Sequence, residues 1–148
     1  MLLAKEGVDS NSKDNEYGQT PLLWAAVEGH QAVVELLLAK EGVDSNSQDN
    51  GYGQTPLSWA AVKGHQAVVE LLLAKDSVDP DSKDSFGQTP LSRAAEMGHQ
   101  AVVELLLAKE GVDPGSEDSN GQTPLSLAAE NGHKAVVKLL QSCNSLSS

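Results

Sequence analysis

The chain has 148 residues, 39% of them hydrophobic, which suits one compact domain or a short repeat array. Its net charge of −11, from 10 Lys and Arg against 21 Asp and Glu, argues against a nucleic-acid partner, because phosphate binders cluster cations. Apolar runs such as Leu36-Leu37-Leu38 are far too short to cross a bilayer, and the opening Met1-Leu2-Leu3-Ala4-Lys5-Glu6 lacks the basic-then-apolar order of a signal peptide, while the lone Cys143 permits no internal disulfide or cysteine metal site and fits a reducing, cytoplasmic compartment.

Taken in chain order, Leu2-Leu3-Ala4-Lys5-Glu6-Gly7-Val8-Asp9 copies a segment that recurs downstream, so residues 1–13 read as the truncated tail of a preceding repeat. Four units follow, at 14–48, 49–82, 83–116 and 117–148. Gly-Gln-Thr-Pro-Leu occurs in each, with its threonine at Thr20, Thr55, Thr89 and Thr123. His-Gln-Ala-Val-Val-Glu-Leu-Leu-Leu-Ala-Lys is intact at His30–Lys40, His65–Lys75 and His99–Lys109, and an altered copy begins at His133. Such copies define a tandem array.

Each unit predicts a strand-like turn, a short helix, a second turn and a longer helix. Thr55 is placed to cap the first helix, and Pro56 suits its first position, where no N–H is needed. Leu57, Ala60 and Ala61 form one helical stripe, and Val68, Val69, Leu72 and Leu73 form that of the second helix. Gly64 ends the first helix, while Gly42 and Gly111 close second helices. In the last unit Gln141, Lys134 and Lys138 replace repeated residues and a polar tail follows. That pattern predicts a C-terminal cap.

The pattern Asp84-x-x-Gly87-x-Thr89-Pro90-Leu91-x-x-Ala94-Ala95-x-x-Gly98-His99, followed by Val102-Val103 and Leu105-Leu106-Leu107, resembles the ankyrin repeat over nearly the whole chain. The resemblance implies an all-α solenoid of stacked helix pairs with short β-hairpin loops, histidines that bond neighbouring backbone, and a groove lined by first helices and hairpin tips. The units depart from the family's period of 33. The hairpin Asp49-Asn50-Gly51-Tyr52-Gly53 carries one residue more than Asp84-Ser85-Phe86-Gly87, and Leu23, Ser58, Ser92 and Ser126 replace the family's histidine after Thr-Pro-Leu. The wording of the repeats is also similar to arrays at the carboxyl ends of fungal nucleotide-binding immune-type receptors, and near-identical copies equally suit consensus engineering.

What recurs in every copy reads as scaffold, and what varies is free to meet a partner. All five aromatics vary: Tyr17, Tyr52 and Phe86 in hairpins, Trp24 and Trp59 on first helices. Helical spacing groups Trp24 with Val27, Trp59 with Val62, and Arg93 with Met97. Tyr17, Trp24, Val27, Tyr52, Trp59, Val62, Phe86, Arg93 and Met97 therefore form the candidate partner site, of a kind enriched at interface hot spots. The competing reading makes these rings packing residues. Leu127 occupies the same position in the last unit.

Catalytic constellations dissolve under the period. Ser58, His65 and Asp79 recur as Ser92, His99 and Asp113, so the trio is scaffold, and the histidines fall one to a unit, which argues against a metal site. Asp79, Asp81 and Asp84 lack the alternation and central glycine of a calcium loop. Glu35, Glu70 and Glu104 predict a solvated outer face. The expectation is a monomeric, non-catalytic protein-binding module without cofactor or metal, neither membrane- nor nucleic-acid-bound, of a kind that suits the recognition end of a larger receptor. The alternative is a structural spacer or engineered scaffold.

Overall fold

The computed structural model describes residues 20–147, with side chains to residue 142. Eight helices form four pairs among the described residues: α1 (Pro21–Glu28) with α2 (Gln31–Ala39), α3 (Pro56–Lys63) with α4 (Gln66–Leu73), α5 (Pro90–Met97) with α6 (Gln100–Ala108), and α7 (Pro124–Glu130) with α8 (Lys134–Ser147). The expected all-α solenoid is observed. The first helices stack in the order α1, α3, α5, α7, and the second helices in the order α2, α4, α6, α8.

Local chemistry starts and stops each first helix. Thr55 Oγ1 accepts the Ser58 N–H at 3.2 Å, Pro56 opens the helix, and Gly64 ends it at φ 74°. The His65 N–H then returns to the Ala60 carbonyl at 3.0 Å, closing a left-handed glycine cap. The same device recurs at Thr20 and Gly29 and at Thr89 and Gly98. The substituted serines join it. Ser58 and Ser92 are buried, and Ser126 Oγ accepts the Thr123 N–H to complete a reciprocal capping box.

One continuous core runs through the stack. Leu57, Ala60 and Ala61 are buried beside Leu91, Ala94 and Ala95 of the next unit, and Val68, Val69, Leu72 and Leu73 are buried from the second layer. The alanines let neighbouring first helices approach closely. A fully buried Val or Leu contributes about 1.5–3 kcal/mol, and each unit gains it only against a neighbour.

Two expectations change in detail. The loops expected as β-hairpins hold no strand among the described residues. Each is a turn closed by a backbone bond, Asp49 N–H to Gln54, Asp84 N–H to Gln88 and Asp118 N–H to Gln122, and the two shorter turns add Gly87 N–H to Asp84 and Gly121 N–H to Asp118. The second helices are scarcely longer than the first, at 9 residues against 8 in the first pair and 8 against 8 in the second, until α8 runs on for 14 through the polar tail.

Candidate functional site

Each hairpin among the described residues is built on one buried aspartate: Asp49, Asp84 or Asp118. Oδ1 organises the turn. In Asp84 it accepts the N–H groups of Phe86 and Gln88, and in Asp118 those of Asn120 and Gln122. The longer hairpin absorbs its extra residue at this point, since Asp49 Oδ1 accepts from Tyr52 and Gln54, each one residue farther on. Successive hairpins are then joined, because the Ser85 N–H donates to the Tyr52 carbonyl at 2.8 Å and the Ser119 N–H to the Phe86 carbonyl at 3.0 Å. Gly53 and Gly87 lie under this junction, where a Cβ would come within 2.9 Å of the next hairpin's serine.

The second carboxylate oxygen faces the variable residue of the first helix. Trp59 Nε1 donates to Asp49 Oδ2 at 2.6 Å. Arg93 Nε donates to Asp84 Oδ2 at 2.8 Å, with Nη2 at 2.7 Å from the same oxygen. In the last unit Leu127 has no donor, and Asp118 Oδ2 instead accepts Gln88 Nε2 from the preceding unit at 3.2 Å. Burial pushes the Asp118 carboxyl up, yet its pKa ends below the usual 3.8, because the Gln122 and Asn120 N–H groups, the Gln88 amide and the Arg93 charge all favour the anion.

These constraints gather part of the expected site. The Tyr52 and Phe86 rings lie 5.9 Å apart, and the Arg93 guanidinium sits 5.6 Å from the Phe86 ring centre. Arg93 also reaches Glu96 at 3.5 Å. Lys63 lies 5.9 Å from the Trp59 ring, and Trp24 packs at 4.8 Å on His30 of its own unit. Tyr52, Phe86, Met97 and Trp24 are each about half exposed, at 51%, 49%, 48% and 47%. Trp59, Arg93, Val27 and Val62 are only partly exposed. Tyr17 lies outside the described residues.

Val27 and Val62 have a second role that their spacing did not signal. Their carbonyls accept His65 Nε2 at 3.0 Å and His99 Nε2 at 2.9 Å, and Glu96 does the same for His133 at 2.9 Å. The histidines thus bond neighbouring backbone, as the resemblance implied. Leu127 is 3% exposed and belongs to the core rather than to a solvent-facing set. The hairpin aspartates were not singled out from the sequence as a group. Their recurrence at one position of each unit beside a changing partner was the available signal. Glu35, Glu70 and Glu104 are exposed, as expected.

No helix among the described residues is long and apolar enough to cross a membrane. The family model for ankyrin repeats (3 copies) matches residues 1–84 and 76–146. No curated protein matches the sequence.

Proposed function

Because the chain belongs to the ankyrin-repeat family, whose repeats are generally protein–protein interaction modules, we propose that it is a non-catalytic module that docks one protein partner on the face carrying Trp24, Tyr52, Phe86 and Met97. The observation that supports this reading is the half exposure of four large apolar side chains at positions free to vary between units. Tyr52 and Phe86 lie side by side, and exposed apolar side chains grouped on one surface, unlike scattered ones, mark interaction sites. The hairpin bonds hold Tyr52 and Phe86 in place before any partner arrives, which lowers the ordering cost of binding. In this reading Val27 and Val62 flank the contact, Tyr17 belongs to the same set of variable positions, the chain acts as a cytoplasmic monomer, and units 14–48, 49–82, 83–116 and 117–148 are its working parts. A place at the recognition end of a larger receptor rests on the wording of the repeats alone.

Trp59 and Arg93 support a second, structural reading of their own positions. Both donate to a hairpin aspartate of their own unit, so they brace the site and contribute less direct contact.

The test is quantitative capture of partners by the native chain and by a variant with Trp24, Tyr52, Phe86 and Met97 all changed to Ala. Hot-spot truncations cost about 2 kcal/mol or more, and each 1.4 kcal/mol is roughly tenfold. The variant should hold a saturably bound protein about thirtyfold or more weakly, while Glu35→Ala with Glu70→Ala should hold it unchanged. Equal binding by a folded four-site variant would place the contact elsewhere.

A further inference from the structure

The loops after the second helices are joined at a position whose residue changes along the array. Asn46, Asp81 and Gly115 occupy it in successive units. Asn46 uses both ends of its amide. Oδ1 accepts the Asp79 N–H at 2.8 Å, and Nδ2 donates to the Ser77 carbonyl at 2.7 Å. One unit on, Asp81 Oδ2 accepts the Asp113 N–H at 2.8 Å and so repeats the first of these bonds. The second is missing, because Asp81 Oδ1 is buried without a hydrogen-bond partner. An ionised carboxylate can only accept, whereas a protonated one carries a donor. In the repeat register the successor of the Ser77 carbonyl is the Gly111 carbonyl, the acceptor that such a donor would serve.

We propose that Asp81 is a proton-operated latch between the loops that follow α4 and α6. Ionised, it makes one of the two bonds that Asn46 makes. With a solvent proton on Oδ1 it gains an O–H for the second bond and removes the charge from a buried, unpartnered oxygen, so this junction tightens as the surroundings become acidic. Loop 74–89 supplies the nearby charges of Asp79 and Lys83, and loop 109–123 supplies that of Asp113. The Asp79 and Asp113 carboxylates are themselves committed, to the N–H groups of Asp81 and Gly115 at 3.0 and 2.9 Å. Burial raises the Asp81 pKa above 3.8. The Asp113 N–H opposes the rise, the Asp113 and Asp79 charges add to it, and Lys83 opposes it. A carboxyl raised in the folded state detracts most above its folded pKa, and the penalty fades as pH falls towards the unfolded value.

Urea unfolding reads this directly, since urea leaves charge interactions unscreened. At about pH 7 Asp81→Asn should unfold at a higher midpoint than the native chain, and the gap should close towards about pH 4. The reciprocal Asn46→Asp should lower the midpoint at about pH 7, with a deficit that closes over the same range. A gap independent of pH, or an Asp81→Asn midpoint at or below that of the native chain at neutral pH, overturns the proposal. Carboxyl-carbon NMR titration tests the unaltered chain, and an Asp81 pKa at or below 3.8 overturns it as well.

Discussion

Trp59 donates its indole N–H to Asp49 Oδ2 at 2.6 Å, and one unit on Arg93 makes the corresponding bond to Asp84 Oδ2 at 2.8 Å. The aspartate is the constant element of the pair. Its first oxygen shapes the hairpin, and its second accepts whichever donor the variable position offers. A residue that varies between units can therefore still be committed to the fold.

Trp59 should then be sensitive to loss of its donor. Trp59→Ala leaves a buried carboxylate oxygen without its donor, a loss of about 1–3 kcal/mol. Trp24 is 47% exposed, so Trp24→Ala should cost about 1 kcal/mol or less. Trp59→Arg restores a donor of the kind used by Arg93 and should recover part of the loss. Urea unfolding of the three variants provides the measurement, and no recovery by Trp59→Arg would show that a donor to Asp49 adds nothing.

The glycines that end the first helices should also separate. Gly98 and Gly132 both have positive φ, 77° and 74°. A Cβ on Gly98 would lie 2.5 Å from His133, whereas one on Gly132 would meet nothing within 4 Å. Gly132→Ala should cost about 1–2 kcal/mol, the left-handed backbone penalty alone. Gly98→Ala should cost more, because the displaced His133 ring also loses its bond to the Glu96 carbonyl. Thermal unfolding ranks the two, and equal shifts would mean that the ring moves aside freely.

Asp118 should tilt the pH dependence in the sense opposite to Asp81. Its folded pKa lies below 3.8. Its contribution is therefore present above pH 3.8 and is lost as pH falls through the lower folded value. Asp118→Asn should unfold at a lower urea midpoint than the native chain at neutral pH, and the deficit should shrink in acid. A deficit that persists unchanged in acid would assign it to lost hydrogen bonds rather than to the ionised carboxylate.

The scaffold was legible because a repeat states its rules several times over. Thr55 before Pro56, Gly64 before His65, and the stripes Leu57-Ala60-Ala61 and Val68-Val69-Leu72-Leu73 follow from local geometry and periodicity, and each took the place expected of it. The candidate site was legible only as a set of positions. Helical spacing put Trp24, Trp59, Arg93 and Leu127 at one register, yet the first is half exposed, the next two bond a hairpin aspartate, and the last is buried.

By itself the sequence determined the helices and their caps, since these depend on neighbours within about one turn of chain. Only the tertiary structure decided which variable side chains stay exposed. That choice depends on contacts between residues far apart in sequence, such as Ser85 with Tyr52, Gln88 with Asp118 and Asp113 with Asp81. These bonds form only once one unit is stacked on the next, because a buried polar group accepts whichever partner the neighbouring unit brings within reach.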